Sequence, residues 1–447
     1  MEQRAPRIVV LGAGFGGLTF CQSFHHPGAQ ILLIDRQNHH LFQPLLYQVA
    51  TAGLSAPEIA QPIRAILHDR PEIQVRLGEI TDIRTDTRQV IVDGRAEDYD
   101  YLVFGLGGRT SYFGHPEWEP FAPGLKSLED AQRIRREVLF AFERAENTDD
   151  LDERRRLMTV VVVGGGPTGV ELAGAFSELT RQVLLRDFRR INPAQARVIL
   201  IEGSPRLLGQ FPEDLSENAR ETLERMGVEI RTNTHVKNIS RGRVELPDGS
   251  CIEAENILWA AGVAASPLTA KLGAPVDRAG RVLVLPDLSL PGHPEVFVVG
   301  DACFIVDKDG QVVPGVSPAA MQEAKHVARI IEDELAGHPV RPPFDYWDKG
   351  SMATIGRSAA VAKMGPLHIT GFLAWMAWLV VHLLFLVGFR NKVAVLWQWF
   401  YSYLTYKRGA RIILRPSLGD SAASPPACIP PAAVGTSRPV KPVPDGD

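Results

Sequence analysis

The chain has 447 residues, of which 45% are hydrophobic and 22% charged, with 48 Lys and Arg set against 52 Asp and Glu. That length exceeds one hydrophobic core and predicts two or three domains, while a net charge of -4 argues against nucleic acid or another polyanion as partner. Its four cysteines, Cys21, Cys251, Cys303 and Cys428, form no C-x-x-C or C-x-x-x-x-C pair, which disfavours a disulfide framework, a metal centre and a dithiol redox pair alike.

The N-terminus, MEQRAPR, lacks the basic, apolar and small-residue order of a signal peptide, so export is not expected. Its first apolar run, Ile8 to Gly17 (IVVLGAGFGG), reads as a buried strand, a glycine turn and a helix start. In such a turn Gly12 permits the reversal, Gly14 lets the backbone approach a pyrophosphate, and Gly17 lets the helix pack closely on the strand. Phe15 and Gly16 complete the loop, and the phosphates belong at the helix N-terminus. Gln30 to Asp35 (QILLID) is a second parallel strand, and Asp35 lies a little over twenty residues past Gly12, where a carboxylate accepts hydrogen bonds from an adenosine ribose.

His39 to Ser55 is apolar without a clean period and is interrupted by Pro44, so it predicts a packed loop beside a cofactor, with Gln43, Tyr47 and Gln48 among its bulky residues. Tyr99 to Gly107 returns the chain to the first nucleotide unit, and a charged helix over Ser127 to about Asn147 leads onward.

Val160 to Glu171 (VVVVGGGPTGVE) then repeats the pattern, with Gly164, Gly166 and Gly169 in register and Thr168 in the turn, followed by a helix to about Leu185. Arg197 to Glu202 (RVILIE) again ends in an acid. A carboxylate at Glu202 repels a 2′-phosphate and predicts NADH over NADPH, although Arg206 is close enough to soften the discrimination. The second unit closes at Gly262, which places it, as residues 126–262, inside a first unit made of 1–125 and 263–340. The first unit resumes with Glu295 to Ala302 (EVFVVGDA), where Gly300 and Asp301 end a strand ahead of a helix over Ala319 to Leu335. Asp301 can meet sugar hydroxyls or merely satisfy helix amides, and local sequence leaves both open.

Residues 341–415 read as a membrane-anchoring region. Gly371 to Phe389 is apolar apart from His382 and includes Trp375 and Trp378. Arg390 and Lys392 follow, then Val393 to Tyr406 with Trp397 and Trp399, then Lys407, Arg408, Arg411 and Arg415. Amphipathic aromatics favour the headgroup zone, and basic residues near an anionic leaflet contribute about 1 kcal/mol each. These features support firm surface attachment, while hydropathy alone reads Gly371 to Phe389 as a span; the in-plane anchoring implied by the family resemblance below favours two interfacial helices, with a buried core or dimer helix left open for Gly371 to Phe389. Deletion after Gly365 should then give a soluble protein. Residues 418–447, rich in Pro, Ala and Ser, read as a disordered tail. The fold class is α/β: two Rossmann-like dinucleotide-binding domains, the second inserted in the first, plus C-terminal membrane-associated helices.

These motifs together resemble the type II NADH:quinone oxidoreductases, or alternative NADH dehydrogenases. The likeness rests on GAGFGG at Gly12, FQPLLYQVATAGLS at Phe42, GGGPTGVELAG at Gly164, WAAGV at Trp259, VVGDA at Val298 and GFLAWMAWLVVHLLFLVGFRN at Gly371, and it covers roughly residues 5 to 415. The resemblance implies non-covalent FAD on the first fingerprint, NADH on the second, electron transfer to a membrane quinone without proton pumping, and attachment to an anionic lipid surface on the cytoplasmic face of a bacterial plasma membrane. A homodimer is left open. Residue by residue, it makes Glu171 the catalytic carboxylate near flavin and nicotinamide, Asp301 a ligand of the flavin's ribityl chain, and Gln322 the last glutamine of a quinone motif, A-Q-x-A-x-Q, facing flavin and quinone. Gln43, Tyr47 and Gln48 join the quinone site. The motif departs from the family at Ser317 and Pro318, and Gln48 stands where many bacterial members carry glutamate. Alternatives are a flavoprotein reductase with a ferredoxin- or sulfide-linked acceptor, the latter disfavoured by the missing cysteine pair, and a non-catalytic membrane-bound NADH sensor.

Overall fold

The computed structural model describes residues 4–405 and 409–413. Lys407, Arg408, Arg415 and the 418–447 tail singled out above lie outside the described residues.

Strand β1 (Arg7–Leu11) runs through a glycine turn into α1 (Phe15–Ser23) and returns as β2 (Gln30–Asp35). β3 (Ile73–Leu77) and β4 (Tyr101–Phe104) extend the same sheet in parallel. Helix α2 (Leu128–Asn147) starts at a capping box, in which Ser127 Oγ accepts the Asp130 N–H at 3.1 Å and the Asp130 carboxylate accepts the Ser127 N–H at 2.9 Å. The pattern then repeats as β5 (Thr159–Val163), α3 (Pro167–Glu178), β6 (Arg197–Ile201), α4 (Glu213–Arg225), β7 (Val228–Arg231) and β8 (Asn256–Trp259). α3 continues as a π-turn over Leu179–Val183 and a 3₁₀ turn over Leu184–Arg186, close to the expected end at Leu185. The chain re-enters the first sheet with β9 (Ser289–Leu290) and β10 (His293–Val298), followed by α5 (Ser317–Leu335).

The first sheet has the order β9-β10-β4-β1-β2-β3 and the second β7-β6-β5-β8. Strands from before and after the second unit thus build the first sheet, and the second is spliced between them. All five residues of β5 are buried, as expected of a strand covered on both faces.

Beyond α5 lies a piece that the sequence reading did not resolve: an antiparallel sheet of β11 (Ser351–Gly356), β12 (Ala359–Met364) and β13 (Leu367–Thr370), then α6 (Gly371–Phe385) and α7 (Phe389–Thr405). The apolar run from Gly371 to Phe389 is broken after Phe385, and Gly388, at φ +85°, packs its backbone against Gln61, where a side chain would collide. Among the described residues, no helix is long and apolar enough to cross a membrane.

These helices are more than an attachment. Trp378, Leu386 and Val395 belong to the same contiguous core as Val160, Val170 and Phe176 of the second nucleotide unit. Deletion after Gly365 would therefore uncover a core face as well as remove the exposed one. The expectation that all four tryptophans serve the lipid surface is corrected accordingly: Trp378 is 1% exposed, Trp375 and Trp399 are partly buried, and Trp397 is 64% exposed. Mean hydropathy cannot separate these cases, because a core and a bilayer select the same side chains.

The C-terminal sheet docks on α3 through Gly174. A Cβ there would lie 1.6 Å from the Ile355 carbonyl oxygen, so only glycine lets strand β11 cross the helix at this distance. Gly174→Ala should cost about 1–3 kcal/mol through overpacking, and a fluorimetric melt of the purified protein should show Tm falling by roughly 1–3 °C, since a chain of this size unfolds with an entropy of about 1 kcal/mol/K. An unchanged Tm would mean that helix and sheet part without penalty.

Candidate functional site

Two cradles of the same construction sit at the carboxyl ends of the two sheets. In the first, Gly12 turns at φ +90° and a Cβ on Gly17 would lie 1.8 Å from the Gly12 carbonyl oxygen. In the second, Gly164 turns at φ +111° and a Cβ on Gly169 would lie 1.7 Å from the Gly164 carbonyl oxygen. Gly14 and Gly166, the N-caps of α1 and α3, have open space where a side chain would stand. Each cradle therefore presents bare helix N-terminal amides to a phosphate. Phe15 opens α1 with its ring edge-on to His40 and Phe42, Gly16 packs against Val299, and Thr168 lies exposed on the first turn of α3.

The two acids are equivalent as well. Asp35 accepts the Ala13 N–H at 2.6 Å and the Gln37 N–H at 2.7 Å. Glu202 accepts the Gly165 N–H at 2.5 Å and the Ser204 N–H at 2.7 Å. Each carboxylate ties its glycine turn to the loop after the neighbouring strand, which aims its remaining lone pairs at the groove where a ribose would lie. Arg206 donates to the Gly209 carbonyl at 3.2 Å.

A third element closes on the first cradle. Gly300 bends at φ +73°, and its N–H donates at 2.6 Å to Glu323 on α5, which is 3% exposed. Burial, with the negative charge of Asp301 beside it, pushes the Glu323 carboxyl up to about 8. Asp301 is also raised by burial, while the charges of Lys126 and Arg281 pull it back. Sequence reasoning missed Glu323, Lys126 and His40. His40 is buried with Nδ1 2.8 Å from the Ala13 carbonyl oxygen and Nε2 without a hydrogen-bond partner, an orphan suited to a bound cofactor.

Between α3, the segment Tyr47–Gly53 and the C-terminal helices runs a cleft lined by Tyr47, Gln48, Glu171, Trp375, Trp399 and Tyr403. The expected loop at its edge is ordered as a 3₁₀ turn (Gln43–Leu45) and a short helix (Leu46–Ala50). Trp399 Nε1–H donates to Gln48 Oε1 at 2.8 Å, and Gln48 Nε2–H donates to the Tyr47 hydroxyl at 2.9 Å, so a hydrogen-bonded chain runs along the wall. Glu171 points into this cleft with its carboxyl bonded to the backbone of Thr354 in β11, and burial pushes its pKa well above the ordinary carboxylate range. His382, stacked on Trp378 at 4.0 Å, is held neutral by burial, its pKa lowered to about 4.

Not every expected quinone residue comes to this cleft. Gln43 Nε2 reaches the Lys126 carbonyl at 3.4 Å. Gln322 exchanges two 3.1 Å hydrogen bonds with the backbone of Trp347, its Nε2–H donating to the carbonyl and its Oε1 accepting the N–H. Both faces of its amide are thereby committed to the strap before β11, a non-local pairing that no local motif reports. Pro318 occupies the first turn of α5, where a missing N–H has no helical partner to lose.

The second cradle opens into another cleft of about 570 Å³, lined by Phe113, Gly164, Glu202, Ser204, His235 and Ala261 among others, a size that suits much of a dinucleotide. Gly262 does not line it: the space of its absent side chain is filled by the ring of Phe113.

Residues 6–324 match the pyridine nucleotide-disulphide oxidoreductase family, and residues 348–407 match the NDH2 C-terminal domain. The type II NADH:quinone oxidoreductase Ndh of Mycobacterium tuberculosis is 44% identical over 420 residues, covering 91% of this chain and 90% of its own, and NdhA of the same organism is 43% identical over 423 residues, covering 91% and 89%. Among solved structures, NDH2 of Plasmodium falciparum in complex with NADH superposes with a TM-score of 0.83 at 20% identity, covering 92% of this chain and 100% of that one.

Proposed function

This chain belongs to the type II NADH:quinone oxidoreductases, and from that premise we propose how its two cradles and its aromatic cleft divide the reaction between them. The protein is an FAD-dependent NADH dehydrogenase that delivers electrons to quinone. When bound, FAD supplies the redox chemistry, taking hydride from NADH and passing two electrons to quinone.

The first cradle suits FAD. Gly12, Gly14 and Gly17 leave room for the pyrophosphate, Asp35 faces the adenosine ribose, and Gly300 and Asp301 meet the ribityl chain, held from behind by Glu323. NADH takes the second, with its pyrophosphate over Gly164 and Gly166 and its adenosine ribose on Glu202. The Glu202 carboxylate repels a 2′-phosphate, and Arg206 spends part of its guanidinium on the Gly209 carbonyl, which supports NADH over NADPH.

The observation that carries the quinone assignment is the meeting of Glu171, Tyr47 and Gln48 within one aromatic-walled cleft. A quinone is a flat apolar ring with two carbonyl acceptors; Trp375, Trp399 and Tyr403 match the ring, and the hydrogen-bonded chain of Trp399, Gln48 and Tyr47 supplies polar groups for a carbonyl. Gln322 then acts at a distance, positioning the strap through Trp347. The other faces of α6 and α7 present Leu373, Val380, Leu384, Leu396, Trp397 and Phe400 to solvent, with Arg390 and Lys392 beside them. Such a surface fits an anionic bilayer on its cytoplasmic side, approached by in-plane helices.

Trp399→Phe keeps the ring and loses the N–H. With NADH and a short-chain quinone, the quinone KM should rise about tenfold while anaerobic flavin bleaching by NADH keeps its rate, since Gln48 Oε1 loses its Trp399 donor and the chain to Tyr47 loses its anchor. An unaltered quinone KM would move the quinone elsewhere.

A further inference from the structure

Phe113 is 65% exposed, a large apolar side chain standing at the mouth of the second cleft. Its backbone is left-handed, at φ +51°, and Gly114 follows at +95°. The two form the centre of a turn in which the His115 N–H donates to the Tyr112 carbonyl at 3.1 Å. Positive φ at both central positions is the preference of Asn-Gly, and a bulky aromatic at the first is an outlier that the surroundings must impose. They do so from both sides. The Ser111 N–H donates to the Gly262 carbonyl at 3.1 Å, and Trp259 Nε1–H donates to the Ser111 carbonyl at 2.7 Å. The Phe113 ring then rests edge-on against Trp259, with centroids 6.2 Å apart, and over Gly262, where a methyl group would come within 2.6 Å of its Cζ.

Neither the core nor the turn gains from this arrangement, since the ring is mostly in solvent and the backbone is strained. Strain held by a rigid frame at a cleft mouth points to a ligand contact. The strand order places that contact on the dinucleotide. With β7-β6-β5-β8 across the sheet, the adenosine ribose lies at Glu202 beyond β6, and the pyrophosphate crosses the end of β5 at Gly164 and Gly166. The nicotinamide half is therefore directed toward the end of β8, the loop Ala260 to Gly262, which Phe113 overhangs.

We propose that Phe113 is a substrate-contacting residue whose ring roofs the nicotinamide half of NADH, held in place by the bare backbone of Gly262. This rests on the placement of NADH on the second cradle. The apolar ring shields the nicotinamide from water on the side away from the glycine turn, and its setting over Gly262 fixes how far the cleft opens. Gly262 thus serves NADH through Phe113.

The test uses the full-length holoprotein, with FAD absorbance confirming the fold of each variant. Phe113→Ala should raise the NADH KM about tenfold, with the quinone KM and the inhibition constant of ADP-ribose, which lacks nicotinamide, each within about twofold of wild type. Gly262→Ala should raise the NADH KM in the same sense by displacing the ring, and the double variant should be no worse than Phe113→Ala alone, because the added methyl then meets empty space. An NADH KM that Phe113→Ala leaves unchanged, or losses that multiply in the double variant, would overturn the inference. Glu202→Ala separates the two levels. If it weakens NADH and ADP-ribose while Phe113→Ala is silent, the roof alone is wrong; if both are silent, the placement of NADH fails and takes the roof with it.

Discussion

Gly17→Ala is expected to purify without flavin, and Gly169→Ala to purify yellow yet bleach slowly, if at all, with NADH. In both, one methyl group is placed where the backbone has no room, 1.8 Å from the Gly12 carbonyl oxygen in one cradle and 1.7 Å from that of Gly164 in the other. Neither glycine has a left-handed φ, so alanine meets no strain of its own, and the collision is the whole effect. It resolves only if the helix withdraws from its strand, carrying the N-terminal amides away from the phosphates they serve. A misplacement on the order of 1 Å costs about 10²-fold in a positioned reaction, so flavin reduction in Gly169→Ala should slow by about that factor, and FAD occupancy in Gly17→Ala should fall below about a tenth. Absorbance of the purified proteins and anaerobic stopped-flow mixing with NADH read both. The reverse pattern, with flavin lost from Gly169→Ala and kept by Gly17→Ala, would exchange the two cofactors between the cradles.

The two cradles were legible because everything they need is local. A strand, three glycines and an acid recur at fixed spacing, and the same backbone geometry follows wherever they do, down to the matched bonds of Asp35 to Ala13 and Glu202 to Gly165. The inserted topology was legible too, since the Gly300–Asp301 strand has no place in the second sheet. The rest depends on contacts between distant segments. Nothing near Gln322 foretells that Trp347 will take both ends of its amide, and nothing near Glu171 foretells Thr354. The strands from Ser351 to Thr370 went unread beside the stronger apolar signal that follows them. Trp378 and Trp397 both stand among apolar residues, yet one completes a core and the other faces out, because only the packing of α6 and α7 on the second nucleotide unit decides which side each helix shows. Phe113 left a faint signal, an aromatic before a glycine in a polar turn, whose meaning emerges only with its dihedral angle and the gap at Gly262.

Glu171→Gln should keep FAD and its fold, be reduced by NADH at close to the wild-type rate, and pass electrons to quinone about 10²-fold more slowly, the usual loss when a positioned acid is removed. Quinone must gain two protons with its two electrons, so a group in the cleft that would receive it, whose charged lining residues are Glu171, Glu178 and Arg357, must hold a proton near neutral pH. Glu171 does: burial raises its carboxyl well above the ordinary range, so the protonated form persists where an exposed glutamate would be ionised, and it stands in the same cleft as Tyr47 and Gln48. Glutamine preserves the shape and can still accept the Thr354 backbone bond through Oε1, but it has no proton to give. The pH dependence separates a proton donor from a structural residue. In wild type the quinone-reducing rate should fall as pH rises through the raised pKa and Glu171 ionises; in Glu171→Gln that limb should disappear, leaving a flat, slow profile. Wild-type stability should decline over the same rise in pH. A carboxyl whose folded pKa lies above its unfolded value contributes stability that is complete below the unfolded pKa and is lost as pH rises toward the folded one. The variant, with nothing to ionise, should therefore match wild type in acid and melt higher than it in alkali. Slower turnover with the wild-type pH limb intact would show that Glu171 only shapes the cleft, and unchanged turnover with a raised alkaline Tm would leave it a buried acid with no part in the transfer.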